Sequence, residues 1–459
     1  MEIKFGTDGW RAIIGYQFTT DNVSRIVEGT AQWLKKQDKP QKVVIGRDTR
    51  FAGEVFMDVA VEILTRNGIE VIVPDTDFVT TPMLSLATKT HNAGLGIMFT
   101  ASHNPPIYHG YKLKADFGGP LPTDQLKQIE ELVPFCPPEY AYPSKAKPTT
   151  AQLEDEYYDY ITKKFDLDAI RKLKIAYDAM YGSGQRIMKR LLPNAHVLHG
   201  EVNPSFKGIP PEPIEKNLKE AIEFMKTNSD YELCLATDGD ADRIALIRKG
   251  GKFLSAQHLL LLLVHYLAGY KKEKGKIVVA VSATERLRKL AKHYELDIEY
   301  VPVGFKHIAP KMVEEDVLLG GEESGGIGIK GHIPERDGIF VGLTIAEFIA
   351  TSGKSLDGLV NEVYEIVGEF EYVREDLHLS PEQKEQAIQK AKAGIEKLGK
   401  WTVTNIITID GFKFILGDKR WLLVRPSGTE PVLRLYAEAP TEQEAKQLIA
   451  EFKKIAGIT

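Results

Sequence analysis

Six short polar segments carry the side chains of this 459-residue chain that are able to do chemistry. Thr100-Ala101-Ser102-His103-Asn104-Pro105 follows an apolar run over 93–99 and precedes a second proline. A run ending in Ser, His, Asn and Pro reads as a buried strand opening into a tight, exposed loop. Such a loop lifts one hydroxyl off a rigid scaffold, as a covalent phosphate or acyl carrier requires. A turn residue or helix cap is the plainer use of a serine there. Asp238, Asp240 and Asp242 alternate in Asp238-Gly239-Asp240-Ala241-Asp242-Arg243. Carboxylates so close repel one another unless a cation or basic groups neutralise them. All-oxygen ligands suit a hard divalent ion, and Mg²⁺ keeps open positions for water or phosphate. An EF-hand is excluded, because it needs Gly where Arg243 stands and Glu where Lys249 stands. An acidic turn is the remaining alternative.

Gly320-Gly321-Glu322-Glu323-Ser324-Gly325-Gly326 sets carboxylates and a hydroxyl between glycine pairs, where backbone can approach a ligand closely. These groups suit sugar hydroxyls, and the spacing is not that of a dinucleotide site. Arg425-Pro426-Ser427-Gly428-Thr429-Glu430-Pro431 offers a guanidinium, two hydroxyls and a glycine-exposed amide. That set makes a compact anion site suited to phosphate, with a capped turn as the alternative. Phe5-Gly6-Thr7-Asp8-Gly9-Trp10-Arg11 places an arginine after a turn, and Arg47-Asp48-Thr49-Arg50 reads as a structural ion-pair cluster.

Three stretches that begin alike must position the first three loops. Residues 42–46, 174–178 and 276–280 each read as a short buried strand opening on a lysine. A helical pattern follows each (55–67, 184–192, 285–293), then a second strand (69–73, 196–198, 298–301) and a third apolar run (94–99, 232–236, 317–319). Strand–helix–strand with short apolar strands marks layered α/β units with largely parallel sheets. Spacings differ among the three, so they share a plan and are not a strict repeat. Each third run ends at one of the polar loops, and ligands gather at the carboxyl ends of such strands. Prolines over 134–148 close the first unit, and a helix over 254–267 opens the third. From residue 370 the pattern changes to a helix (381–398), strands (403–409, 413–415, 421–425, 432–437) and a last helix (442–455). The expected fold is three similar α/β mixed-sheet domains, 1–148, 149–252 and 253–368, plus a smaller C-terminal α+β domain, 369–459.

Bulk properties narrow the function classes. With 59 basic and 64 acidic residues the net charge is −5, without the basic excess of a nucleic-acid binder. Cys136 and Cys234 are far apart and outside any CxxC pattern, as for free thiols in a reducing compartment. The N-terminus lacks a signal peptide's apolar core, and the most apolar stretch, 259–266, is too short to span a bilayer. The expectation is a cytoplasmic protein with neither a nucleic-acid nor a membrane partner.

Taken together and in this order, the segments from Phe5 to Pro431 closely resemble those of the α-D-phosphohexomutases, the phosphoglucomutase and phosphomannomutase enzymes. The resemblance implies four domains around a central cleft. It implies that Ser102 carries the transferred phosphoryl group beside His103, and that Asp238, Asp240, Asp242 and a phosphoserine oxygen hold one Mg²⁺. Arg243 would sit beside the phosphoserine, Lys112 near the transferred phosphate, and Arg11 would assist proton transfer. Glu322 and Ser324 would hold sugar hydroxyls, and Lys306 would contact the substrate. Arg425, Ser427, Gly428 and Thr429 would clamp the phosphate that does not react.

The implied reaction interconverts glucose 1-phosphate and glucose 6-phosphate through phospho-Ser102 and glucose 1,6-bisphosphate, which also serves as activator. Glu323 resembles the glucose-preferring branch. Phosphomannomutase, dual specificity, phosphoglucosamine mutase and hexose bisphosphate synthase are the alternatives within the family. A haloacid-dehalogenase-like phosphatase using Asp238, or a non-catalytic sugar-phosphate module, are those outside it. The family often has Asn where His109 stands and His where Gly326 stands. His332, Arg336 and Asp337 read equally as further ligand contacts or as structural residues. Monomer and homodimer both remain open.

Overall fold

Short runs rich in Val, Ile and Leu, buried on both faces, form the centres of three mixed sheets. The computed structural model describes residues 2–6, 8–417, 419–426 and 432–458. In the first sheet Tyr108–Ala115, Leu95–Phe99, Lys42–Arg47 and Glu70–Pro74 lie side by side. The second repeats that order with Ile244–Arg248, Leu233–Thr237, Ile175–Asp178 and His196–Leu198. The third repeats it with Ile327–Ile329, Val317–Gly321, Lys276–Ala280 and Ile298–Val301. In each, the last three strands pair in parallel, while the first two form an antiparallel pair. The serine, aspartate and glycine-rich loops are thus the connections leaving the carboxyl ends of central, fully buried strands. That placement makes their backbone rigid and their side chains accessible from one side.

The sheets also carry strands that the apolar pattern did not announce. Trp10–Ile13 pairs with Tyr108–Ala115, which delivers Arg11 to the edge of the serine loop. Thr149–Ala151, at the start of the second expected unit, joins the first sheet beside Glu70–Pro74. Helix starts follow the capping rules: Thr19 and Thr80 accept the amides of Asn22 and Met83, and Asp337 accepts those of Ile339 and Phe340. The helix Gly338–Ser352 is apolar on all sides because it is buried in the largest core cluster, which spans the three α/β units. Among the described residues no single helix is long and apolar enough to cross a membrane.

The C-terminal unit is an antiparallel sheet ordered Glu371–His378, Val432–Ala439, Trp421–Pro426, Phe412–Ile415, Asn405–Ile407, with its own core. Helices Pro381–Lys392 and Glu442–Ala456 pack into that core. The first helix stops six residues before the expected 398, because Gly394 turns the chain at φ 87° and a hairpin through Gly399 follows. Glu371–His378 was not expected as a strand, since its charged residues break the apolar alternation; as an edge strand it tolerates them. The sheet's other face meets the third unit through Val281, Trp421, Leu423 and Tyr436. At that junction Lys413 donates to the carbonyls of Val281 and Ala283 at 2.8 and 2.9 Å and to Glu285 at 2.7 Å.

Candidate active site

Ser102 sits in the left-handed region at φ 53°, a conformation few non-glycine residues hold without support. The support is Arg50, whose guanidinium donates to the carbonyls of Ser102 and Asn104 at 2.6 Å and to those of Pro105 and Tyr108 at 3.0 Å. Asp48 in turn holds Arg50 by an ion pair of 3.3 Å and accepts the Thr100 hydroxyl at 2.5 Å, and that hydroxyl accepts the Ser102 amide at 2.9 Å. The Arg47 to Arg50 segment is therefore structural, as expected, and what it builds is the serine loop. Burial pushes the Asp48 carboxyl up to about 6 even against Arg50.

The Ser102 hydroxyl donates to Asp238 Oδ2 at 2.6 Å and lies 3.3 Å from His103 Nδ1. Burial, then Arg243 and Arg11, hold His103 well below the ordinary imidazole range, so its ring is neutral. Arg11 donates to Asn104 Oδ1 at 2.6 Å and lies 3.8 Å from Asp8, which ties the N-terminal turn to the same loop.

Asp238, Asp240 and Asp242 are fully buried, with one oxygen of each within 4.8 Å of the others. Burial first, then Asp240 and Asp242, hold the Asp238 carboxyl well above the carboxylate range. Asp240 behaves in the opposite way: burial would raise it, but Lys112 and the Thr81 hydroxyl lower it. Lys112 Nζ lies 2.8 Å from Asp240, 2.9 Å from Asp242 and 2.9 Å from Asp8, and these carboxylates outweigh its burial and keep it charged. Thr81 donates to Asp240 Oδ2 at 2.5 Å. These donors use the Oδ2 atoms. Asp240 Oδ1 and Asp242 Oδ1 are buried with no hydrogen-bond partner. Two orphaned carboxylate oxygens beside Asp238 and the Ser102 hydroxyl are what a hard cation requires, so the residues fit a divalent metal ion.

Arg336 ties the loops together. Its guanidinium donates to Asp8, pairs with Asp242 at 2.7 Å and lies 3.7 Å from Glu322. One buried side chain thus joins the N-terminal turn, the aspartate loop and the glycine-rich loop. A Cβ on Gly326 would lie 2.4 Å from Arg336 Cδ, so glycine at 326 makes room for this arginine. Glycine at 325 is required independently: it has φ 85°, and a Cβ there would stand 2.2 Å from the Ile244 carbonyl. His332 and Asp337 prove structural, paired at 2.9 Å, with Asp337 also capping its helix and accepting the Tyr157 hydroxyl at 2.7 Å. His109 is likewise a core residue, stacked on Phe18 with ring centroids 5.0 Å apart.

The backbone amide of Arg243 donates to Asp238 Oδ1 at 3.1 Å, and its Nε lies 3.9 Å from Asp242. Burial and Glu323 push the Glu322 carboxyl up to about 7 although Arg336 opposes them. The Ser324 hydroxyl is buried without a partner, whereas Glu323 accepts the Ser282 hydroxyl at 2.5 Å. Lys306 is half-buried on the helical turn Phe305–His307. Arg425 pairs with Asp410 at 2.8 Å, and Asp410 also accepts the Val303 amide at 3.1 Å. Ser427, Gly428 and Thr429 lie outside the described residues.

Sequence reasoning passed over Asp8 and Thr81. Asp8 carried a weak signal, an acid three residues before Arg11 in a glycine turn; Thr81 carried none, because a threonine at a helix start is an ordinary cap.

Comparison with known proteins bears out this architecture. The family patterns described as Phosphoglucomutase/phosphomannomutase alpha/beta/alpha domains I, II and III match residues 2–134, 155–251 and 255–367, and its C-terminal domain matches 377–455. A Phosphoglucomutase/phosphomannomutase of Thermococcus kodakarensis is 31% identical over 97% of this chain and 96% of its own. A Phosphoglucosamine/phosphogalactosamine mutase of Sulfurisphaera tokodaii is 31% identical over 98% of both chains. The crystal structure of a "putative phosphomannomutase" from Thermus thermophilus superposes with a TM-score of 0.88 at 32% identity, covering 100% of this chain and 99% of the other. The chain belongs to the phosphoglucomutase/phosphomannomutase family. It is an α-D-phosphohexomutase, a mutase of the isomerase class.

Proposed function

We propose that this phosphohexomutase interconverts glucose 1-phosphate and glucose 6-phosphate through a phosphorylated Ser102 and a 1,6-bisphosphate, with Mg²⁺ on Asp238, Asp240 and Asp242. The observation that carries this reading is the Ser102 hydroxyl 2.6 Å from Asp238 beside two partnerless carboxylate oxygens. The bond between phosphorus and Ser102 Oγ breaks as a sugar hydroxyl oxygen bonds to the phosphorus. The hydroxyl proton passes to a base beside the transfer position; His103 Nδ1, 3.3 Å from Ser102 Oγ, is placed for that role, although burial and the neighbouring arginines weaken it as a base. The bisphosphate then turns over in the cleft and its other phosphate returns to Ser102. Lys112, Arg11 and Arg243 surround the transfer position with positive charge, which is most of what phosphoryl transfer asks of a protein. When bound, Mg²⁺ adds Lewis-acid neutralisation of the phosphoryl oxygens.

Glu322 and Ser324 supply an acceptor and a donor–acceptor for sugar hydroxyls. A second reading, an amino-sugar phosphate as substrate, is favoured by a cavity of about 450 Å³ beside this loop, where Glu212, Glu215, Glu323, Glu371 and Glu442 outnumber the one cation in the lining, Arg374. A carboxylate-rich wall suits an ammonium group, and the Sulfurisphaera tokodaii relative is named for amino-sugar phosphates. Turnover on glucose, mannose and glucosamine 1-phosphates, each with Mg²⁺ and a trace of the matching 1,6-bisphosphate, tests both readings. Preference for glucose supports the first and preference for glucosamine the second. Best turnover on mannose makes the enzyme a phosphomannomutase. Bisphosphate accumulating without net isomerisation makes it a synthase.

A further inference from the structure

The aspartate loop is gripped at its backbone by all three α/β units. The carbonyls of Gly239, Asp240 and Ala241 accept the amides of Ser183, Thr81 and Gly338 at 2.9, 3.0 and 3.0 Å. Thr81 and Gly338 open the helices Thr81–Thr90 and Gly338–Ser352, and Ser183 stands two residues before the helix Gln185–Leu191. Amides in a helix's first turn have no partner within the helix, so they are free to clamp the carbonyls of a neighbouring loop. The loop needs such support, because Ala241 sits in the left-handed region at φ 59°.

Thr81 differs from the other two because it also reaches a carboxylate. Its hydroxyl donates to Asp240 Oδ2 at 2.5 Å while its amide holds the carbonyl of the same residue, and both residues are fully buried. Two bonds from one residue fix the Asp240 side chain relative to its own backbone. Oδ2 is thereby occupied, and Oδ1 is left without a partner. Lys112 also meets Oδ2, at 2.8 Å, but it serves Asp242 and Asp8 as well and brings a positive charge that opposes a nearby cation. Threonine orients the carboxylate without that repulsion. Groups that hydrogen-bond a metal ligand, without touching the metal, set that ligand's orientation and with it the affinity of the site.

We propose that Thr81 is a positioning residue of the metal site, its hydroxyl holding Asp240 so that Oδ1 is reserved for the ion. The first unit then sets the affinity of an ion whose aspartate ligands belong to the second. The inference rests on the Mg²⁺ assignment in the proposed function.

The test is calorimetric titration of the full chain with Mg²⁺, without sugar phosphate, for wild type, Thr81→Val and Thr81→Ser. Valine keeps the shape and the backbone amide and removes the hydroxyl. Thr81→Val is expected to weaken Mg²⁺ binding roughly 10- to 100-fold, and Thr81→Ser, which keeps the hydroxyl, by no more than about threefold. In mutase assays the Mg²⁺ concentration giving half-maximal rate should rise by the same factor in Thr81→Val, with the rate at saturating Mg²⁺ within about threefold of wild type. A threonine with only a structural role would lower thermal stability and leave the affinity unchanged, so wild-type affinity in Thr81→Val overturns the proposal. Should Thr81→Val not fold, Thr81→Ser and Thr81→Ala, which differ by the hydroxyl alone, decide: weaker binding by the alanine variant sustains the proposal, and equal binding removes it. If wild type binds Mg²⁺ yet turns over no hexose phosphate, the functional reading fails alone and the same titrations still judge Thr81. A wild type that binds no Mg²⁺ overturns the metal assignment and the role of Thr81 with it.

Discussion

Two charged regions of this molecule are built in different ways. Where the three α/β units meet, the linked network holds six carboxyl groups (Asp8, Asp238, Asp240, Asp242, Glu322 and Glu335) against five cations (Arg11, Lys112, Lys114, Arg243 and Arg336). On the C-terminal sheet Asp376 stands between Arg374 and Arg434, and Asp410 pairs with Arg425. The first region is almost wholly buried and the second is part-exposed. With all six carboxyls ionised the buried network is one cation short; burial meets the shortfall by holding the Asp238 carboxyl above its usual range, and a small, dehydrated positive ion meets it by taking that proton's place. The part-exposed pairs share their charge with solvent. The difference separates charge fixed by burial from charge that water already screens.

Removing Ser102 breaks the comparison at its chemical centre. Ser102→Ala should lower mutase turnover by roughly 10⁴-fold or more in both directions while the protein stays folded. Coupled-assay rates and circular dichroism read this, and retained hydrolysis of sugar phosphates would point instead to Asp238 as a nucleophile.

The next effect concerns stability. Lys112→Met leaves Asp8, Asp240 and Asp242 short of their shared cation and should cost about 3–5 kcal/mol, with millimolar Mg²⁺ recovering part of the loss. Arg425→Ala removes a part-exposed pair with Asp410 and should cost no more than about 1 kcal/mol. Urea denaturation of both variants measures the contrast, and equal losses would erase the distinction between the regions.

A smaller effect is expected from Glu322. Held up to about 7 by burial, with Arg336 opposing and Glu323 adding, it gains its full acceptor strength as pH rises through that value, which on the proposed reading strengthens its bonds to sugar hydroxyls. KM should therefore fall between pH 6 and 8 in the wild type and change less in Glu322→Gln, each profile corrected for substrate ionisation.

The smallest effect lies at the C-terminal junction, where burial pushes Glu438 up to about 7 despite Thr284, Arg286 and Lys413. Its folded value exceeds its unfolded one, so its contribution to stability is complete below about 4.5 and is lost as pH rises through 7. Glu438→Gln should be more stable than wild type at pH 8 relative to pH 5 by thermal melting. An identical pH dependence would show that Glu438 does not titrate there.

What the sequence determined by itself was local in its physics. Apolar runs of strand length ending in Ser102, in the Asp238 to Asp242 triplet and in the Glu322 to Ser324 loop were legible, because burial on both faces and glycine turns leave marks within a few residues. The repeated order of elements was legible for the same reason. The loops' convergence came from the repeat, since like units with like connections present like ends. What only tertiary structure decided were the partners. Arg50 holds the serine loop from 52 residues away, Lys112 serves three carboxylates from two units, and Arg336 reaches 328 residues back to Asp8. Charged side chains pair wherever folding brings them, without periodicity or spacing to announce it. Glu371–His378 stayed hidden because its charged residues break the apolar alternation, so it looks like a solvated segment until Val432–Ala439 pairs with it. Sequence marks where backbone must turn and where apolar surface must be covered. Which buried charges then neutralise one another depends on distances that exist only once the units have packed.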